Sequence, residues 1–140
     1  PKGGVFISIT DEDKPAFLPV AETLRDLGFR LICTPGTARY LERRGVPSTL
    51  CEKISIGRPN VLDFMINNEV QLILTTSSGP PSTSDEKALR IEAISRDLPL
   101  ITTVAAARAA AAALQAQALG RYTIRALQDY HADLKRLAEG

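Results

Sequence analysis

Hydrophobic positions change their period along this chain, and each change predicts an element. Val5, Phe6, Ile7 and Ile9 stand around Ser8 in a short β-branched run, which predicts a buried strand. Phe17, Val20, Ala21, Leu24 and Leu27 then recur three and four apart, the spacing of one helix face. Gly28 follows the last of them, where a left-handed residue ends a helix. Pro15 fits a first helical turn, whereas Pro19 removes a backbone hydrogen bond and predicts a distorted helix start.

The alternation continues. Residues 29–33 predict a second strand, 38–43 a short helix closed by Gly45, and 49–51 a weak third strand. Residues 60–67 predict a helix with Val61, Phe64 and Met65 on one side, and 71–75 a clear strand. Residues 85–95 predict a helix whose apolar positions are Leu89, Ile91 and Ile94. A last short strand is expected at 99–101, then an Ala-rich helix over 104–119, a strong helix former with small side chains. Strand and helix alternating five times predict an α/β fold: a three-layer, Rossmann-like open parallel sheet of about five strands, with helices on both faces. The chain shows no internal repeat and no linker, and its longest loop is 77–84. Its 140 residues are therefore expected to form one domain around one core.

Composition narrows the function classes. Lys and Arg number 17 against 16 Asp and Glu, so a clustered basic excess for nucleic acid is not expected. No apolar run approaches the roughly 18 residues of a membrane span. The apolar stretch at 5–9 is too short for a signal peptide and runs into acidic residues. Cys33 and Cys51 are expected to be small, partly buried thiols in a reducing, cytoplasmic setting. The one histidine, His131, lies in a polar helical stretch and cannot by itself assemble a zinc site or a Ser-His-Asp triad. Neither a metal nor a catalytic residue is expected. The chain opens at Pro1, not Met, and reads as a piece of a longer one.

In open parallel sheets, ligands bind beyond the carboxyl ends of the strands, where strand order reverses. Thr10, Asp11, Asp13 and Lys14 follow the first predicted strand, and Thr34-Pro35-Gly36-Thr37 follows the second. Lys53 falls near the third, Thr75-Thr76-Ser77-Ser78-Gly79 after the fourth, and Thr102-Thr103 after the fifth. A glycine between two threonines at a helix start lets backbone N–H groups approach a ligand, and the helix terminus adds partial positive charge. That combination suits a phosphate, with Lys14 and Lys53 placed to neutralise it. The same residue types also serve as ordinary caps and turns. Neither G-x-G-x-x-G nor the P-loop motif is present, which argues against a dinucleotide or P-loop site.

Five motifs in order carry a resemblance. They are Ser8-x5-Lys14, Thr34-Pro35-Gly36-Thr37-Ala38, Lys53-x3-Gly57-Arg58-Pro59-x3-Asp63, Thr75-Thr76-Ser77-Ser78-Gly79 and Leu127-Gln128-Asp129-Tyr130-His131. Together they resemble the methylglyoxal synthase-like domain, in the version found at the C-terminus of the carbamoyl phosphate synthetase large chain. The resemblance implies an allosteric domain, 1–140, that binds a nucleoside monophosphate, uridylate or inosinate. It implies that Lys14, Thr34, Gly36, Thr37 and Lys53 hold the effector phosphate. Thr75, Thr76 and Ser77 would face its ribose and base, with Ser8, Asp85, Thr102 and Thr103 as secondary candidates.

For the isolated domain the resemblance implies no catalysis and no cofactor. The full chain would be an ATP-dependent, glutamine-hydrolysing ligase using ATP and Mg or Mn and serving pyrimidine and arginine biosynthesis. Its partners would be the catalytic domains of the same chain, a glutaminase small subunit and further copies through oligomer contacts. Four positions depart from the family pattern. Thr75 stands in place of an Asn that offers both donor and acceptor. Ile56 replaces an acidic residue. Leu100-Ile101 replaces the Tyr-Asp that forms part of an ornithine site in some members, so ornithine is not expected to bind there.

The alternative is methylglyoxal synthase acting on dihydroxyacetone phosphate. That enzyme carries Gly-Gly-Asp at the turn matching Gly57-Arg58, its Asp being the base, and a histidine matching Ser82. Arg58 cannot accept a proton, although Asp11, Lys14 and Asp85 do match. A nucleotide-cyclising enzyme of purine synthesis shares the fold, but nothing in the sequence favours it.

Overall fold

The computed structural model describes residues 3–77 and 84–139. Five strands run through it: β1 (Gly4–Ser8), β2 (Arg30–Cys33), β3 (Thr49–Leu50), β4 (Leu72–Thr75) and β5 (Leu100–Ile101). They pair in the order β3-β2-β1-β4-β5, and every pairing is parallel. The helices between and after them are α1 (Lys14–Asp26), α2 (Pro35–Glu42), α3 (Val61–Ile66), α4 (Ser84–Ser95) and α5 (Val104–Glu139).

A central parallel strand is covered on both faces, which is why β1 reads as an unbroken apolar run. Val5 and Ile7 point to one side and join α1, α2 and the start of α5 in one core. Phe6 points to the other and joins Ile32 and Ile73 against α3 and α4. The arrangement is a three-layer α/β sandwich, the expected architecture.

Left-handed residues stop the helices. Gly28 has φ +93°; its N–H bonds the Arg25 carbonyl at 2.9 Å, and the next N–H reaches Leu24 at 3.1 Å. This paired pattern satisfies two orphan carbonyls at once. Gly45, Asn68 and Asp97 repeat it after α2, α3 and α4.

Several expectations need correction. α1 runs unbroken through Pro19, since one absent N–H removes a single bond from a helix anchored by Phe17 and Val20. α2 begins at Pro35, not at 38, because proline's fixed φ suits a first helical position. In α4, Ile91 and Ile94 are 67% and 81% exposed, and Leu89 and Ala93 are buried in their place. The final helix does not end at 119 but continues to Glu139, 36 residues in all. At 1.5 Å per residue that is about 54 Å. Among its described residues only Ala107 and Ala111 are buried, against α1. Leu127, Gln128, Asp129 and His131 of the last motif are exposed on its later turns. Among the described residues no helix is long and apolar enough to cross a membrane.

Candidate functional site

The strand order reverses at β1: β2 and β3 lie to one side of it, β4 and β5 to the other. A cleft of about 810 Å³ opens beyond the carboxyl ends of β1 and β2, where this fold class places its ligands.

Lys14 is the first residue of α1 and only 8% exposed. Phe17, one turn on, is buried in the core and fixes the start of α1 against the sheet. The Lys14 ammonium donates to the carboxylate of Asp11, which stands in solvent. That hydrogen bond, then the ammonium's charge, holds the Asp11 carboxyl below the usual carboxylate range. The ammonium also sits over the start of α2, where a Cβ added to Gly36 would stand 3.5 Å from Nζ.

The two threonines of the second loop do different things. Thr34 occupies the N-cap position of α2 but makes no capping bond; its hydroxyl donates to Ser8 Oγ at 3.0 Å. Thr37 Oγ1 accepts from the Ile9 N–H at 3.0 Å and donates to the Ile9 carbonyl at 3.4 Å. The first turn of α2 is thereby stitched to the end of β1. Pro35 has no N–H, so Gly36 and Thr37 supply the first free amides of the helix, with no side-chain cap on them. A buried ammonium beside uncapped helix amides is a place where an anion is stabilised.

Lys53 and Ser8 line the same cleft, as does Thr76, whose Oγ1 accepts from the Thr10 N–H at 3.0 Å. The structure thus brings Lys14, Thr34, Gly36, Thr37, Lys53, Ser8 and Thr76 together. Ser77 and Thr102 lie apart, around a small hollow of about 30 Å³ that also reaches Thr75 and Thr76. Thr75 and Asp85 also line a hollow of about 80 Å³ between Lys53 and Leu89. Asp85 Oδ2 accepts from Ser55 N at 3.2 Å and from Ser55 Oγ at 3.0 Å, tying α4 to the loop after β3. Thr103 lies outside the cleft lining and caps α5, its Oγ1 accepting from Ala106 N at 3.1 Å. Ser78, Gly79 and Ser82 lie outside the described residues.

Arg58 is bonded to Asp63, its Nε lying 3.0 and 3.2 Å from the two carboxylate oxygens. Asp63 also accepts from Asn60 N at 2.9 Å, completing a capping box at the start of α3. No group of three or more His, Cys, Asp or Glu among the described residues is placed to hold a metal ion.

Sequence reading missed the outer wall of the cleft: Arg39 and Tyr40 of α2 and, just past its end, Arg43 and Arg44, with Glu52 opposite. The signal was present, since residues 39, 40 and 43 follow Gly36 at helical spacing, on the face beside the buried Ala38 and Leu41.

A family model described as the MGS-like domain matches residues 16–102. The chain belongs to the MGS-like domain family. The matched span includes 34–37, Lys53 and 75–77, and begins two residues after Lys14. Among curated relatives, the carbamoyl phosphate synthase large chain of Rhizobium meliloti (strain 1021) is 42% identical over 128 residues. That match covers 91% of this chain and 11% of the relative. The large chain of Methanothrix thermoacetophila is 42% identical over 133 residues, covering 95% of this chain and 12% of the relative. This MGS-like domain therefore spans about a tenth of the length of the curated relatives it matches. Among solved structures, methylglyoxal synthase from Elizabethkingia anophelis NUHP1 superposes with a TM-score of 0.64 at 13% identity. It covers 79% of this chain and 77% of the synthase. ForH superposes at 0.58 with 12% identity, covering 82% of this chain and 79% of its own. These two likenesses are of fold.

Proposed function

We propose that this domain binds a nucleoside monophosphate, uridylate or inosinate, and is the allosteric effector-binding domain of a carbamoyl phosphate synthetase large chain. The observation that carries the reading is the buried Lys14 ammonium over Gly36, beside the uncapped amides of α2. Thr34, Thr37 and Lys53 complete the phosphate site, and Thr75, Thr76 and Ser77 would face the ribose and base. Effector binding would bias catalytic domains elsewhere in the same chain through a coupling free energy, typically ~1–3 kcal/mol. Those domains would consume ATP with Mg or Mn and take ammonia from a glutaminase small subunit in the cytoplasm. The domain itself would need no cofactor and would contribute to oligomer contacts.

Support for an effector module over a synthase comes from Arg58. It occupies the turn where the synthase carries its base, and its guanidinium is engaged by Asp63. A direct assay separates the two: methylglyoxal formed from dihydroxyacetone phosphate by this domain would replace the effector reading.

Calorimetry on Lys14→Ala tests the phosphate site. A hydrogen bond to a charged group contributes about 1.5–3 kcal/mol, so uridylate should bind roughly tenfold to a hundredfold more weakly. Uridine, which has no phosphate, should bind as it does to the unaltered domain. Equal losses for both ligands would remove Lys14 from the phosphate site.

A further inference from the structure

We infer that the later half of α5 is a docking helix, its apolar face seated in a groove of the catalytic part of the same large chain. The inference rests on the reading of this domain as one piece of a large chain, and not on what the cleft holds.

Every described side chain from 121 to 137 is exposed. Most of the stability of a helix in a protein comes from packing, and little of it from propensity. Ile124, Leu127, Leu134 and Leu137 are 58%, 54%, 45% and 78% exposed. At 3.6 residues per turn they share one face, an arc of roughly 140°. Arg121, Arg125, Asp129, Asp133, Lys135 and Arg136 fill the other. Arg125 and Asp129 stand about five turns beyond Ala107 and Ala111, at the same angle about the helix axis. The face that packs on α1 thus becomes charged, and the apolar face opens away from it. The later half of α5 is not patterned to continue the packing of the first half; its leucines need a different body.

The family model ends at residue 102, before α5 begins at Val104. The match to the Methanothrix thermoacetophila large chain takes in 133 of the 140 residues, so it reaches Asp133 at least. The later half of α5 is therefore shared with the large chains although the family model does not span it, and most of each large chain lies outside the match. A second copy suits the face less well. A two-stranded helix pair takes a narrow stripe, whereas an arc this wide belongs to a helix embedded in a larger apolar surface. Leu127, Leu134 and Leu137 stand at the seven- and three-residue steps by which an amphipathic helix anchors in a groove.

Hydrogen exchange read by mass spectrometry on the full large chain tests the docking. In Leu127→Ser/Leu134→Ser the amides of 121–137 should exchange at least about tenfold faster than in the unaltered chain, while β1 and β4 keep their protection. Arg121→Ala/Arg125→Ala, on the charged face, should leave both regions unchanged. Leu137→benzoylphenylalanine, a photocrosslinking side chain, should join α5 to the catalytic part of its own chain. Equal exchange of 121–137 in the unaltered chain and the apolar double variant overturns the inference. So does a charged-face control that speeds exchange equally, or a loss of protection that reaches β1 and β4. Cross-links between two copies of α5, or back into this domain, give the face to another occupant and overturn it as well. Uridylate should bind the apolar double variant as it binds the unaltered chain. Failure to bind either one overturns the proposed effector site and leaves the docking to be decided by exchange and cross-linking.

Discussion

Replacing Gly36 by alanine adds one methyl group at the centre of the proposed phosphate site. Gly36 lies at the second position of α2 and is not among the residues with positive φ. The added Cβ would have one near neighbour, Lys14 Nζ at 3.5 Å, an ordinary contact distance. The fold therefore has no reason to resist the change. Glycine is about 1 kcal/mol less favourable than alanine inside a helix, and roughly half of that applies in a first turn. Gly36→Ala should thus be more stable by about 0.5 kcal/mol.

Its effect on binding runs the other way. The methyl occupies the space between the Lys14 ammonium and the start of α2, where a phosphate oxygen would accept from the Gly36 N–H. Loss of one charge-assisted hydrogen bond, at about 1.5–3 kcal/mol, weakens uridylate roughly tenfold to a hundredfold. Urea unfolding and calorimetry on the same sample measure both effects. Unchanged affinity would show that the phosphate does not rest on these amides. A loss of affinity accompanied by a loss of stability would trace the defect to packing, and the reasoning would fail.

Burial pushes both cysteine thiols up to about 12, with the neighbouring Asp63 adding to the effect at Cys51. The unfolded chain ionises its thiols near pH 9 while the folded domain keeps them protonated. Their contribution to stability is therefore complete below about pH 9 and lost as pH rises toward 12. Chemical denaturation across that range should show the decline, and rapid labelling of native thiols at pH 8 would contradict it. At the start of α3, Arg58→Ala removes one exposed ion-pair partner and should move the urea midpoint little. Asp63→Ala also opens the capping box and should lower the midpoint more. Urea midpoints that shift equally for the two variants would mean the box stabilises nothing.

Period, turn residues and chain order were enough to derive the parallel sheet and its crossovers. Val5 to Ile9 could only be a strand buried on both faces, and Gly28 and Gly45 could only close helices. The helix face of α4 was misread. Leu89, Ile91 and Ile94 look alike in sequence, yet the sheet has room for Leu89 and Ala93 and leaves both isoleucines in water. Hydrophobicity states what a residue prefers, and packing decides which preference is met. The length of α5 was missed because Gly120 and the polar residues after it look like an ending; in the structure nothing breaks the backbone ladder there.

The site divides the same way. That Gly36 opens a helix between two threonines was legible, although the same residue types also make ordinary caps and turns. That Lys14 and Lys53 face one cleft, that Thr34 bonds Ser8 instead of capping, and that Thr103 caps α5 are decisions of the tertiary structure. Arg39 and Arg43 belong there too. On the sequence alone they are two charges on a short polar helix face. They come to line one cleft with Lys14 only because β1 and β2 deliver Lys14 and Gly36 to the same end of the sheet, and a parallel sheet brings together loops that the chain keeps far apart.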